Sequence, residues 1–203
     1  MTKVVWGSGI RGVAVFALAA AVSSCGDQTR QGTASSFLII GAIEAASGAD
    51  PSTFSSGLAS DVITVKDNVA TVFNDPGRVT LKLALKDPGP AASPNAPTQN
   101  NWITVTQYHV QYVRSDGHNI EGIDVPYAFD GGLTGTVSGD TTLGFTLVRN
   151  QAKMEAPLAA LASNPIIIST VARVTFYGHD QTGREISVTG NVDIAFGNYG
   201  DPK

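Results

Sequence analysis

The sequence predicts an all-β fold, an antiparallel β-sandwich of about seven to nine strands with one short helix. Three observations carry this. Apolar and polar residues alternate along several segments, the period of two that turns one face of a strand inward. Clusters of Gly, Pro, Asn and Asp punctuate those segments, in a chain of 203 residues holding 22 glycines and 10 prolines. Hydrophobic residues make up 42% of the chain and charged ones only 15%, and Thr, Ser and Val recur throughout. That mixture favours strands and turns over helices.

The first 24 residues stand apart. They contain Lys3 and Arg11 and no acid, and residues 13–22 (VAVFALAAAV) are uniformly apolar. Ten apolar residues are too few for a bilayer core, which needs about 20. A basic start, a short apolar run and small residues form a secretory signal. The stretch Val22-Ser23-Ser24-Cys25 resembles the lipobox of bacterial lipoproteins, with Val in place of the usual Leu. The resemblance covers residues 1–25. It implies cleavage before Cys25, a diacylglyceryl thioether on its sulfur and acylation, such as by palmitate, of the new amino group. Two or three chains anchor stably where one does not. The lipid bilayer is then the first partner. Gly26 does not resemble the aspartate that retains lipoproteins at an inner membrane, so the expectation is an outer-membrane address. Residues 7–12 (GSGIRG) fit G-x-G-x-x-G, but no strand precedes them and no βαβ unit surrounds them, so the match is set aside.

Residues 26–36 (GDQTRQGTASS) read as a flexible tether after Cys25, reaching at most about 35–40 Å. Residues 37–203 are expected to form one β-sandwich domain. Residues 37–43 (FLIIGAI) are a short apolar strand and residues 58–65 a weaker one. Residues 74–77 (NDPG) read as a turn before residues 78–86, where Val79, Leu81, Leu83 and Leu85 share a face. Residues 87–101, with four prolines, form a long loop. In residues 102–114, Ile103 and Val105 share one face, and Tyr108, Val110 and Tyr112 the other. The phase flips near Thr106-Gln107, which predicts a bulge or two shorter strands.

Residues 122–137 carry Val125, Tyr127, Phe129, Leu133 and Val137, interrupted at Gly131-Gly132. Leu143, Phe145 and Leu147 share a face in the next strand, and residues 151–163 are the one mature helix, limited by Pro157. The clearest signal is the last pair. Ile166, Ile168, Thr170, Ala172, Val174 and Phe176 line one face of a long strand; Ile186, Val188, Val192, Ile194 and Phe196 line the next. Residues 179–184 (HDQTGR) join them as a hairpin loop, with Gly183 free to take positive φ. The segments VTFYGHDQTG and REISVTG resemble the closing strands of bacterial Ig-like modules over about 30 residues. The chain departs from that pattern in lacking a disulfide pair, in its length, and in offering only Trp102 for a core tryptophan. A jelly-roll is the alternative.

Little in the chain points to catalysis. No serine has glycine at both −2 and +2, so the nucleophile elbow is absent. The single cysteine is taken by the anchor. His109, His118 and His179 show no zinc or haem spacing, and Glu44, Glu121, Glu155 and Glu185 follow no hydrolase motif. The expectation is no enzyme and no cofactor. Weak calcium candidates are Asp116, Glu121 and Asp124 in an oxygen-rich loop, with Asp130 and Asp180 as further oxygens across one end of the sandwich, but turn chemistry explains such residues equally well. Most strand aromatics, including Tyr108 and Tyr112, are expected in the core. Tyr177 is the expected ligand contact, because Phe176 beside it takes the inward face.

Without its first 24 residues the chain has 11 basic against 17 acidic residues, a net charge near −6. Such a surface repels phosphate backbones and offers anionic headgroups no basic cluster, so no nucleic-acid partner is expected. The sequence therefore predicts a membrane-anchored, non-enzymatic envelope lipoprotein. Its Ig-like sandwich would have a structural role or contact another envelope protein. The alternative is a carbohydrate-binding or surface-capture module.

Overall fold

The computed structural model describes residues 33–200. The signal segment, Val22, Ser23, Ser24 and Cys25 lie outside the described residues. The strands are β1 (Ser36–Ser47), β2 (Asp50–Ser55), β3 (Gly57–Asp61), β4 (Thr64–Lys66), β5 (Val69–Thr71), β6 (Asp75–Leu85), β7 (Ile103–Val113), β8 (Phe129–Val137), β9 (Thr141–Val148), β10 (Ile168–Asp180) and β11 (Glu185–Gly197). One short helix, α1 (Asn150–Met154), and a 3-10 turn at Leu158–Ala162 fill the connection before β10. The chain is all-β, and its two main sheets pack as a sandwich. One has the order β2-β1-β6-β9, the other β3-β11-β10-β7-β8, and β4-β5 forms a small ribbon.

The alternation read from the sequence becomes the core. In β6, Val79 and Leu81 are fully buried, with Leu83 partly buried beyond them. In β10, Ile168, Thr170, Ala172, Val174 and Phe176 point inward, and Val192, Ile194 and Phe196 of β11 join them. β1 keeps its apolar face inward by a register shift between Ile40 and Ala42, so that Leu38 and Ile40 before the shift and Ile43 and Ala45 after it all reach the core. Aromatic rings tie the sheets together. Phe145 of β9 meets Phe176 of β10 edge-on at 5.4 Å and Tyr108 of β7 at 5.3 Å. The buried Tyr112 hydroxyl donates to the Leu147 carbonyl at 2.8 Å, and the Tyr108 hydroxyl accepts from the Thr146 amide at 3.2 Å. Burial, first of all, pushes the Tyr112 hydroxyl well above its ordinary pKa.

Several expectations are corrected. Residues 74–77 are not a free turn. Asp75 begins β6, and it is fully buried. Its carboxylate accepts from Lys153 Nζ (2.8 Å), Ser60 Oγ (2.6 Å) and the Gly48 amide (2.8 Å), and Lys153 also donates to the Asp61 carbonyl. A buried carboxylate needs such partners, and these outrank the local turn signal. The Gly131-Gly132 pair does not break β8. An added Cβ at Gly131 would lie 2.2 Å from the Tyr108 ring, so the glycine is where that ring packs. Residues 58–65 divide into β3 and β4, and β3 pairs parallel with β11, an exception to the antiparallel plan. Ile166 stands ahead of β10 and is exposed. Trp102 is half-buried before β7 and outside the core. The packed chain begins before residue 37, since Ala34 and Ser36 are buried and Ser36 Oγ donates to the Asn101 carbonyl.

Candidate functional site

The outer face of the five-stranded sheet is built around Tyr177. Phe176 fills the core, so Tyr177 points to solvent and is 40% exposed. Thr175 and His179 stand on the same side of β10. The neighbouring strands set what surrounds the ring. On β11, Ser187 lies directly opposite Tyr177; on β7, Gln107 does.

The phase flip at Thr106-Gln107 is a β-bulge. Pairing steps from Tyr177↔Gln107 to Gly178↔Val105, which leaves Thr106 as the extra residue. Thr106 and Gln107 are consequently both exposed beside the ring. The bulge requires a glycine on β10, because a Cβ at Gly178 would lie 2.4 Å from the Thr104 carbonyl oxygen. On β8, Gly132 faces Gln107, and a side chain there would meet open space. The bulge residues Thr106 and Gln107, with Gly178 across from them, border a hollow of about 650 Å³. Tyr177, Thr106, Gln107, Asp130 and Ser187 line it on the sheet, and it reaches Phe37 and Lys86 at the start of β1 and just past β6. The volume falls in the range of about 300–1,000 Å³ common to small-ligand sites.

Hydrogen bonds hold this face in place. Asp130 Oδ1 lies 2.8 Å from His109 Nδ1 on the adjacent strand. Cross-strand threonine pairs flank the hollow, Thr175–Thr189 at 2.9 Å and Thr104–Thr136 at 3.2 Å. Lys86 Nζ sits 5.2 Å from the centre of the Phe37 ring. At the β10–β11 hairpin, Gly183 takes φ +80°. Asp180 Oδ1 there accepts from the Thr182 amide and hydroxyl and from the Arg184 amide. Burial pushes that carboxyl up, but these hydrogen bonds outweigh it and leave its pKa below the ordinary value.

The calcium candidates separate. Asp116 is held by the Arg114 guanidinium and the His118 amide. The Arg114 hydrogen bond, first among the causes, draws its pKa down to about 2. Asp124 Oδ2 accepts from the Ile120 amide at 3.0 Å, which closes a turn. Glu121 is exposed. Asp180 lies at the far end of the sheet, where it pairs with Ile103 rather than near Val113 and the loop that follows it. Among the described residues no three His, Cys, Asp or Glu side chains are grouped to hold a metal ion. Among the same residues, no helix is long and apolar enough to cross a membrane.

Tyr177 was legible in the sequence, and so was the bulge that places Thr106 and Gln107 beside it. Ser187, Phe37 and Lys86 carried no signal, because only pairing and packing bring them to the same hollow. No protein-family model matches the chain, and no curated protein matches it.

Proposed function

We propose that this chain is a membrane-anchored envelope lipoprotein with no catalytic role, whose Ig-like sandwich binds another envelope component. The observation that carries the binding role is the hollow around Tyr177, an aromatic ring exposed among hydrogen-bonding side chains on a rigid sheet.

The strand order supports the Ig-like reading. Immunoglobulin-type sandwiches order one sheet A-B-E-D and the other G-F-C, with C′ added beyond C in the variable type. Here β1-β6-β9 run as A-B-E and β11-β10-β7-β8 as G-F-C-C′. The lipid anchor rests on Val22-Ser23-Ser24-Cys25 and the apolar run before it. An outer-membrane address rests on Gly26.

The anchor is tested by replacing Cys25 with Ala and fractionating cells. Acylated protein sediments with membranes; the C25A variant is expected in the soluble fraction, because acyl chains supply the stable attachment. Unchanged membrane association of the variant would remove the lipoprotein reading.

A further inference from the structure

We infer that the hollow around Tyr177 is a carbohydrate subsite that takes a short stretch of a neutral glycan. This rests on the binding role proposed above and names its ligand class. A sugar ring presents an apolar C–H face rimmed by hydroxyls, each able to donate and accept. Its complement is a flat aromatic ring surrounded by short groups of mixed hydrogen-bonding capacity. The hollow supplies that set: the Tyr177 ring, the Thr106 and Ser187 hydroxyls, the Gln107 amide and the Asp130 carboxylate. His109 pins Asp130, so that oxygens are held ready to accept from ligand hydroxyls.

These groups sit on four adjacent hydrogen-bonded strands, β11, β10, β7 and β8. They are fixed before a ligand arrives, which lowers the ordering cost of binding. The hollow's charges are of both signs, Asp130 and Glu185 against Lys86. That pattern selects no strongly charged ligand, and the acidic chain as a whole disfavours polyanions.

A peptide partner fits less well. Main-chain recognition of an extended peptide needs a free sheet edge. β10 and β7 are both paired on their two sides, so Tyr177 and Gln107 stand in the interior of the sheet. The large apolar side chains exposed here are two separate rings, Tyr177 and Phe37, while Leu38 and Ile186 beside them pack into or against the core, and a helix-in-groove mode needs a continuous exposed apolar trench.

The test uses full-length acylated protein in mild detergent on an array of immobilised neutral glycans. The best-retained oligosaccharide is then titrated calorimetrically. Wild type is expected to bind, Tyr177→Ala to lose about ten-fold or more in affinity, and Tyr177→Phe, which keeps the ring, to stay close to wild type. Thr80→Ala, on the outer face of the other sheet, is expected to change nothing. Absence of binding to every glycan, or binding that Tyr177→Ala leaves intact, would overturn the inference. If no glycan binds but native envelope protein is retained by wild type and released by Tyr177→Ala, the glycan is wrong and the binding face stands.

Discussion

Replacing Lys153 with Met is expected to destabilise the fold by about 3–5 kcal/mol, the usual cost of stranding one member of a buried ion pair. Lys153 and Asp75 side chains are 1% and 0% exposed and 2.8 Å apart. Burial raises the pKa of Asp75, while Lys153, Ser60 and the Gly48 amide pull it back down. Without the ammonium, the carboxylate keeps two neutral donors and loses the one opposite charge beside it. It must then stay charged at high cost or take up a proton. A loss of this size lowers the melting temperature by roughly 6–20 °C in a domain of this length. A control separates charge from shape. Adding Asp75→Asn to Lys153→Met removes both charges and keeps an acceptor for the Gly48 amide, so the double variant is expected to be more stable than Lys153→Met alone. Chemical denaturation of the three proteins checks this; a double variant no more stable than the single would show that packing, not charge, sets the cost.

The second large effect is expected at Phe176. Its side chain is fully buried between the sheets, against Phe145 and, at 6.4 Å, Tyr108. Phe176→Ala removes the ring that joins three strands and leaves a cavity that close-packed neighbours fill only in part, a loss of about 3–5 kcal/mol. The urea midpoint should fall with little change in slope, since the surface exposed on unfolding is nearly the same. Tyr177→Ala, one residue along, removes an outward ring and should stay within about 0.5 kcal/mol of wild type. The contrast matters for function, because it lets Tyr177 be altered in a folded protein. Equal losses at the two positions would mean that Tyr177 is packed rather than presented.

Much of the architecture was legible because it depends on period-two alternation. Val79 and Leu81, Val174 and Phe176, and Ile194 and Phe196 fall inward as their spacing requires. The flip at Thr106-Gln107 marked the bulge, and Gly183 the hairpin. What escaped depends on partners distant in the chain. Asp75 reads as a turn residue until Lys153, 78 positions later, reaches it. Gly131 reads as a strand breaker until the Tyr108 ring occupies its place. β2 has almost no buried face, and the ribbon of β4 and β5 is only three residues long on each side, so neither carries a strong pattern. Tyr177 was readable from its neighbour Phe176, whereas the hollow around it needed the cross-strand register.

One measurement bears most directly on the claim that this sheet face is where the protein acts. It is amide chemical-shift mapping of the isotopically labelled protein as a soluble extract of its native envelope is added. Perturbations are expected to cluster on Thr106, Gln107, Asp130, Tyr177 and Ser187, and to be lost in Tyr177→Ala. Shifts centred instead on the exposed isoleucines at 120, 123, 166 and 167, or none on the Tyr177 face, would contradict it.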